Sequence, residues 1–450
     1  MLNPPLSSLS DDLLSYIVDH LAQLPLWNES LYNLSLTDRA FTRFCQKHIF
    51  KTLRLGYHPG SRREIVNKMA KMQRILDDDP SIANSVRIVH LSIQHKKNAW
   101  LFNDSTFMGI IELLAKSPRV PHALHLYVCK GEAGFEDPVL VIGRLLQSFF
   151  AHSLTVLNLN CCKQAPLCLF LVCPRLKEVL LDHVVAEKSY DQYPDHCCYG
   201  RESPALERLD YRDSQSLVKQ MLAPPPPLQE SVVRWSDLRF LTLSPHEKEE
   251  MACLQPILDA ACDTLEELRL TNLRVIWGSA GQSGLSYRNQ VDLTRSQNEE
   301  QLSLAPLVDL KRLSQLRVFA LHAAINFLKL DTPQGGVLQD INSVLCTIPT
   351  SHKIEKLTFD FTINDKHPFV GCLGEDWGGL CDKVIHISAG RPLQFNLMTA
   401  AACLRARKPF GESKLYKHIG DKISMLSDYP NIHTEFWNPV RWKKTGAPTL

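Results

Sequence analysis

The stretch Leu154-Thr155-Val156-Leu157-Asn158-Leu159-Asn160 carries the pattern that decides the fold. Its apolar residues follow the spacing apolar-x-x-apolar-x-apolar, in which the last two positions alternate as the inward residues of a strand do. The same pattern returns after successive helical or loop segments, at Val86/Val89/Leu91, Leu176/Val179/Leu181, Leu206/Leu209/Tyr211, Leu238/Leu241/Leu243, Leu265/Leu268/Leu270, Leu316/Phe319/Leu321 and Ile354/Leu357/Phe359, and partially at Leu124/Leu126/Val128. The sequence therefore predicts an α/β chain of many short strands.

This spacing resembles that of leucine-rich repeats, which stack their strands into a parallel sheet and a curved solenoid. Consecutive instances between residues 154 and 265 lie 22 to 32 residues apart, and the regular asparagine after the strand has only loose equivalents at Asn160 and Asn272. The resemblance implies an irregular leucine-rich-repeat-like solenoid with a parallel sheet over residues 57–400. Ordinary strand and helix alternation in a doubly wound sheet is the alternative.

Two further segments lie outside the repeat pattern. Residues 278–303 are polar and glycine-containing, and they predict an irregular insertion between two repeats. Residues 401–450 are expected to form a C-terminal capping helix and a basic tail. The apolar residues of that helix are Leu415, Ile419, Ile423 and Leu426.

The N-terminal segment, residues 1–56, predicts a small helical module. Ser10 can cap a helix, and Asp11 and Asp12 place negative charge on the first turn, where the helix dipole favours it. Apolar residues then recur at helical spacing, and two more short helices follow before residue 50. Three such helices bury too little surface to be stable alone, so we expect the module to dock on the rest of the chain or on a partner.

The residues of this module carry a second resemblance. Leu9-Ser10-Asp11-Asp12-Leu13-Leu14-Ser15-Tyr16-Ile17 resembles the opening of an F-box, whose pattern is Leu-Pro-x-Glu-Leu-Leu-x-x-Ile. Leu34-Ser35-Leu36-Thr37 and Ala40-Phe41 resemble its second and third helices, and His48 to Leu55 is similar to the passage from F-box to repeats in fungal F-box-like proteins. Ser10 stands where the family has proline, and Asp12 stands where it has glutamate.

The F-box resemblance implies a non-catalytic subunit that recognises the substrates of an SCF-type cullin-RING ubiquitin ligase. The module would bind the S-phase-kinase-associated adaptor, and through it the cullin scaffold, while the repeats hold an unknown target protein. The adaptor-binding residues implied are Leu9, Leu13, Leu14, Ile17, Leu21, Leu34, Leu36 and Phe41. Outward strand positions, Asn158, Arg208, Arg269 and Lys356, are the candidates for target binding.

The alternative function is a leucine-rich-repeat scaffold whose N-terminal helices only cap the solenoid. Solvent exposure separates the two hypotheses, because a receptor presents Leu14 and Ile17 partly to solvent, whereas a cap buries them.

Composition and charge restrict the partners. With 50 Lys and Arg against 48 Asp and Glu, the formal net charge is +2, which predicts no general attraction to nucleic acid or membrane. The sequence contains no run of eighteen apolar residues, and its start lacks the character of a secretory signal. We therefore expect a cytoplasmic or nuclear protein whose 14 cysteines form no disulfide.

Motifs for catalysis and for metal binding are missing. No Gly-x-x-x-x-Gly-Lys phosphate loop and no Gly-x-Ser-x-Gly elbow occurs. Cys161-Cys162 and His196-Cys197-Cys198 lack the Cys-x-x-Cys spacing with which two thiolates reach one zinc ion. We expect no catalytic residues, no metal and no cofactor.

Overall fold

The structure, a computed structural model, describes residues 9–24, 27–56, 62–94, 99–129, 145–146, 149–186, 202–224, 231–245, 251–277, 283–286, 304, 307–327, 337–349, 351–363, 376–401 and 412–437. The chain forms two compact units, Met1–Pro204 and Ala205–Thr449. The predicted repeat domain, residues 57–400, is therefore divided between two units. Within the described residues, no helix is long and apolar enough to cross a membrane.

The first unit begins with three helices and continues as strands alternating with helices. In chain order its elements are α1 (Asp11–Leu21), α2 (Trp27–Thr37), α3 (Arg39–Ile49), β1 (Thr52–Leu55), α4 (Arg62–Asp78), α5 (Pro80–Ala83), β2 (Ile88–Gln94), α6 (Ala99–Asn103), α7 (Ser105–Lys116), β3 (Ala123–Cys129), β4 (Val156–Asn160), α8 (Cys168–Val172) and β5 (Glu178–Asp182). The five strands pair in parallel in chain order, β1 with β2, β2 with β3, β3 with β4 and β4 with β5.

The second unit repeats the same plan. Its elements are β6 (Arg208–Arg212), α9 (Gln215–Leu222), β7 (Phe240–Ser244), α10 (Leu254–Ala260), β8 (Glu267–Trp277), β9 (Ser283–Ser286), β10 (Val318–Phe327), α11 (Val337–Leu345), β11 (Lys356–Ile363), α12 (Trp377–Ser388), β12 (Leu393–Ala401), α13 (Glu412–Ile423) and β13 (Ile432–Trp437), with short 3-10 helices at Trp235–Asp237 and Ser424–Asp428. Seven strands pair in parallel, and β9 pairs with β8 in the antiparallel direction.

The predicted α/β class is confirmed, with twelve parallel strands among the described residues and a three-helix region at the N-terminus. The strands alternate in burial as the pattern requires. In β4, Leu157 and Leu159 are fully buried, while Asn158 between them is half-buried. One face of the strands therefore packs in the core, and the other contacts solvent.

The helices between the strands bury apolar residues, as α7 shows. In α7 the Asp104 carboxylate caps the first turn by accepting the Phe107 N–H at 3.0 Å, and the helix then buries Phe107, Ile110 and Leu114. These residues recur at intervals of three and four, so they share one side of the helix.

A repeated backbone arrangement fixes the register of the strands. The carbonyl oxygen of Lys51, just before β1, accepts the N–H groups of Arg87 and Ile88 at 2.9 and 3.1 Å. The carbonyl of Arg87, just before β2, accepts those of His122 and Ala123 in the same way. The residues that precede successive strands are therefore neighbours in space.

Two strands lie at the edges of the predicted segments. β1 pairs with β2, so Leu53 and Leu55 belong to the sheet rather than to the N-terminal module of residues 1–56. The helix expected to cap the C-terminus is present as α13, but β13 follows it and pairs with β12. α13 therefore connects two strands instead of closing the fold.

Other predicted features lie outside the described residues. Of the insertion 278–303, only β9 is described, and the basic residues of the expected tail all fall beyond residue 401 in ranges that are not described.

Aromatic rings link three strands in the core of the second unit. Phe359 of β11 contacts Phe319 of β10 edge-on at 6.3 Å between ring centroids, and it contacts Phe395 of β12 at 5.9 Å. All three rings are fully buried. Such contacts contribute about 0.5 to 1.5 kcal/mol beyond the burial of apolar area.

We predict that Phe359→Ala lowers the free energy of unfolding of the second unit by about 3 to 5 kcal/mol, because it removes both ring contacts and leaves a cavity. Lys311→Ala, at an exposed position of the same unit, should change it by less than about 0.5 kcal/mol. Denaturant titration of both variants measures the difference. Equal midpoints would contradict this account of the core.

Candidate partner-binding surfaces

The three N-terminal helices share a small core of their own. Five residues are fully buried there, Leu14 and Val18 from α1, Leu31 from α2, and Phe41 and Cys45 from α3. Nine further apolar residues pack partly buried around them. The module is therefore held together by contacts among its own helices.

Local hydrogen bonds fix where these helices begin. The Ser10 hydroxyl accepts the Leu13 N–H at 3.4 Å, and the Ser10 backbone is extended, with φ −62° and ψ 153°, which confirms the predicted N-cap. The Asp38 carboxylate accepts the Ala40 N–H at 2.9 Å and so begins α3. Ser10, which stands where the F-box pattern has proline, therefore caps α1 through its own side chain.

Charged groups join α1 to α3. Asp19 accepts a hydrogen bond from His48 at 2.6 Å and lies 3.6 Å from the Lys47 ammonium, while Asp11 pairs with Arg43. Burial works to raise the pKa of Asp19, but its hydrogen bond to His48 and the positive charge of Lys47 outweigh burial and lower that pKa. Asp19 is therefore ionised at neutral pH.

The module also presents large apolar side chains to solvent. Of the ten exposed large apolar residues in the described part of the chain, five lie between residues 13 and 36, with exposed fractions of 44 to 70%. The other five, scattered from Ile75 to Tyr429, are only 36 to 42% exposed. The exposed apolar set, as we call it, is Leu13, Tyr16, Leu24, Tyr32 and Leu36.

Helical spacing pairs four of the five members of this set. Leu13 and Tyr16 are three residues apart on α1, and Tyr32 and Leu36 are four residues apart on α2, so each pair shares one side of its helix. The Tyr16 ring stacks on His20 with 6.5 Å between centroids. Each pair flanks the buried side of its helix, where Leu14 or Leu31 packs.

The residues implied by the F-box resemblance divide into three groups. Leu14 and Phe41 are buried in the module core and are not available to a partner. Leu9, Ile17, Leu21 and Leu34 are half-buried at its margin, and Leu13 and Leu36 are exposed.

The solvent exposure of Leu14 and Ile17 does not distinguish a receptor from a scaffold with a helical cap, because the module itself buries Leu14. Tyr16, Leu24 and Tyr32 were missed by the sequence analysis. The spacing of Tyr16 from Leu13 and of Tyr32 from Leu36 is the signal that could have found two of them.

The target-binding candidates lie on the outward face of the strands in both units. Asn158 is half-buried in β4, in register with His125 of β3. In the second unit, Arg208 pairs with Asp210 at 3.1 Å and Arg269 pairs with Glu267, each within its own strand. Lys356 of β11 is half-buried. All four residues are half-buried or exposed, and target binding stays a prediction.

The outward face of the first unit is rich in imidazole and amide groups. His90 and His125 face each other on β2 and β3 with 6.1 Å between ring centroids. Burial lowers the pKa of both, helped by Arg54 at His90 and by His90 at His125. Farther along the sheet, Asn160 donates a hydrogen bond to Asp182 at 2.8 Å. This face suits hydrogen bonding to a polar partner.

Cysteines in the described part form no metal site. Cys162 is fully buried, and burial raises the pKa of its thiol to about 12. No group of three metal-ligating side chains occurs within the ranges that the structure describes. His196, Cys197 and Cys198 lie outside those ranges.

No protein-family model matches the chain, and no curated protein matches it.

We predict that Leu14→Ala destabilises the module by about 2 to 5 kcal/mol, because it opens a cavity among α1, α2 and α3. Leu13→Ala, one residue away but half exposed, should change its stability by less than about 0.5 kcal/mol. Hydrogen exchange in the peptides of residues 11–49 reports both effects. Faster exchange in both variants would show that Leu13 is also part of the core.

We predict that iodoacetamide modifies Cys346 in the folded protein but leaves Cys162 and Cys381 unmodified. Cys346 is exposed, whereas burial raises the pKa of Cys381 to about 11 and that of Cys162 to about 12, so neither forms the reactive thiolate at pH 8. Peptide mass mapping with and without denaturant measures this. Labelling of Cys162 without denaturant would contradict its burial.

Proposed function

We propose that the chain is a non-catalytic substrate receptor of an SCF-type cullin-RING ubiquitin ligase. The three N-terminal helices bind the S-phase-kinase-associated adaptor, which connects them to the cullin scaffold. The outward face of the strands holds a target protein for ubiquitination. Both parts follow from the resemblance of residues 9–17 to an F-box and of the repeated strands to leucine-rich repeats.

The exposed apolar set is the observation that carries this proposal. Monomeric proteins seldom leave large apolar side chains gathered in one small region unless a partner covers them. Here half of the exposed large apolar residues of the described chain fall within 24 residues, and they are the most exposed of the ten. Aromatic residues such as Tyr16 and Tyr32 are enriched at protein interfaces.

The repeats supply the second part of the proposal. Apart from β9, the strands of each unit pair in parallel in chain order, as they do in leucine-rich repeats. We infer that each strand, with the segment leading to the next, is one irregular repeat of a solenoid. Half-buried polar residues between the inward leucines would then face the target.

A repeat scaffold with a helical cap is the alternative function. Burial of Leu14 and Val18, together with the direct passage from α3 into β1, favours it. A cap, however, is expected to cover its apolar side chains against the first repeat, and Tyr16 and Leu36 remain about 70% exposed.

We predict that Leu13→Asp combined with Leu36→Asp weakens adaptor binding at least tenfold. Each leucine is exposed in the free chain, and burying such a side chain at an interface contributes about 1.5 to 3 kcal/mol, where 1.4 kcal/mol is tenfold in affinity. Pull-down and interferometry with purified adaptor measure the change. Because both positions are exposed, the variant should keep the module folded, which circular dichroism checks.

The matched control is Ile75→Asp combined with Met425→Asp. It introduces the same charges at exposed apolar positions outside the module, and adaptor binding should stay within twofold of the unmodified chain. Full adaptor binding by a folded Leu13→Asp/Leu36→Asp variant, or no binding by the unmodified chain, would favour the capped scaffold.

A further inference from the structure

The residues immediately before successive strands form a row across the sheet. We call this row the strand-entry edge. Its members are neighbours because each carbonyl accepts two N–H groups from the next member and the residue after it. In the first unit the row is Lys51, Arg87, His122, Thr155 and Lys177. In the second unit it is Glu207, Arg239, Glu266, Arg317 and Glu355.

The row of the second unit alternates in charge and neutralises itself. Arg239 pairs with Glu266 at 2.7 Å, and Arg317 pairs with both carboxylate oxygens of Glu355 at 2.9 Å. Each arginine lies beside a glutamate, and the row holds three glutamates against two arginines, so it has no excess positive charge that would attract an anion.

The row of the first unit has the opposite character. Lys51, Arg87 and Lys177 are cationic, and the exposed Arg119 joins them because Arg87 Nη1 donates to its carbonyl oxygen at 3.3 Å. None of the ion pairs within the described residues involves Lys51, Arg87 or Arg119.

The cations of this row act on one another. Burial lowers the pKa of Arg87, and the charge of Arg119 lowers it further. At His122, burial and then Arg87 and Lys51 lower the pKa, while Glu178 is the one acidic group that opposes them. Positive charges that lie close together repel one another and destabilise the free protein. A bound anion would reduce that repulsion.

We propose that the strand-entry edge of the first unit binds an acidic polypeptide segment in an extended conformation. Parallel strands lie about 4.8 Å apart, so five members span about 19 Å, the length of about six extended residues. Carboxylates or phosphates of the segment would pair with Lys51, Arg87 and Arg119. The carbonyls of the first four members already accept two N–H groups each, so recognition uses side chains rather than added strand pairing.

A peptide fits this row better than a nucleic acid or a membrane does. Nucleic acids are commonly held by about 6 to 10 phosphate contacts, more than this short row offers. Membrane-surface binding also uses large apolar side chains that enter the lipid, and no member of this row is an exposed large apolar residue.

Fluorescence polarisation of a labelled hexaglutamate peptide with the full chain tests the proposal. Binding is expected at about 0.01 M ionic strength and should weaken at about 0.15 M, where charges are screened beyond about 8 Å. Lys51→Glu combined with Arg119→Glu should weaken binding at least tenfold, because attraction becomes repulsion at two positions. Lys51→Gln with Arg119→Gln provides a milder variant should the first not fold.

Lys71→Glu combined with Arg74→Glu is the matched control. Both lie exposed on α4 of the same unit, so net charge changes equally while the edge stays intact, and binding should stay within twofold. Equal losses in both variants, no peptide binding by the unmodified chain, or tighter binding of single-stranded DNA or anionic vesicles would overturn the proposal. Adaptor capture by the same variants should be unchanged, which keeps this test separate from that of the proposed function.

Discussion

The strand alignment in each unit depends on one hydrogen-bond pattern, in which the carbonyl before a strand accepts two N–H groups at the start of the next strand. It aligns the starts of neighbouring strands, as at Lys51, Arg87 and His122, so that residues at equivalent positions stand side by side. Because of that alignment, residues at the same position of successive strands form rows across the sheet. The inward rows form the apolar core, the outward rows form a half-buried polar face, and the entry row contains most of the charged residues just described. Each surface of a unit is therefore formed by residues at one kind of position in successive strands.

The N-terminal module depends on a different balance. Five buried side chains are few for a folding unit, and ionic contacts between α1 and α3, centred on Asp19, add to them. Exposed apolar residues such as Tyr16 lie close beside that core. Covering those side chains would add the apolar burial that the small core of the module lacks.

Sequence reasoning succeeded at most strands with regular leucine spacing, and it failed at three strands for different reasons. β1 carries the full pattern in Phe50, Leu53 and Leu55, but it was assigned to the module. β12 was missed because Pro392 stands at the first apolar position, and β13 was missed because Asn431 and Thr434 replace two apolar residues.

Within α1, spacing placed Leu13 and Leu14 on one stripe, and only packing against α2 and α3 decides which of them is buried. The entry row could not be recognised in the sequence because its members lie more than twenty residues apart, and only strand register brings them together.

The alternating charges of the entry row in the second unit also restrict how that unit can evolve. Deleting one repeat, for instance the one carrying Arg239, would set Glu207 beside Glu266 and bring like charges together. In the second unit, repeats can therefore be gained or lost in pairs without placing like charges side by side. The entry row of the first unit does not alternate in charge, so it sets no such condition.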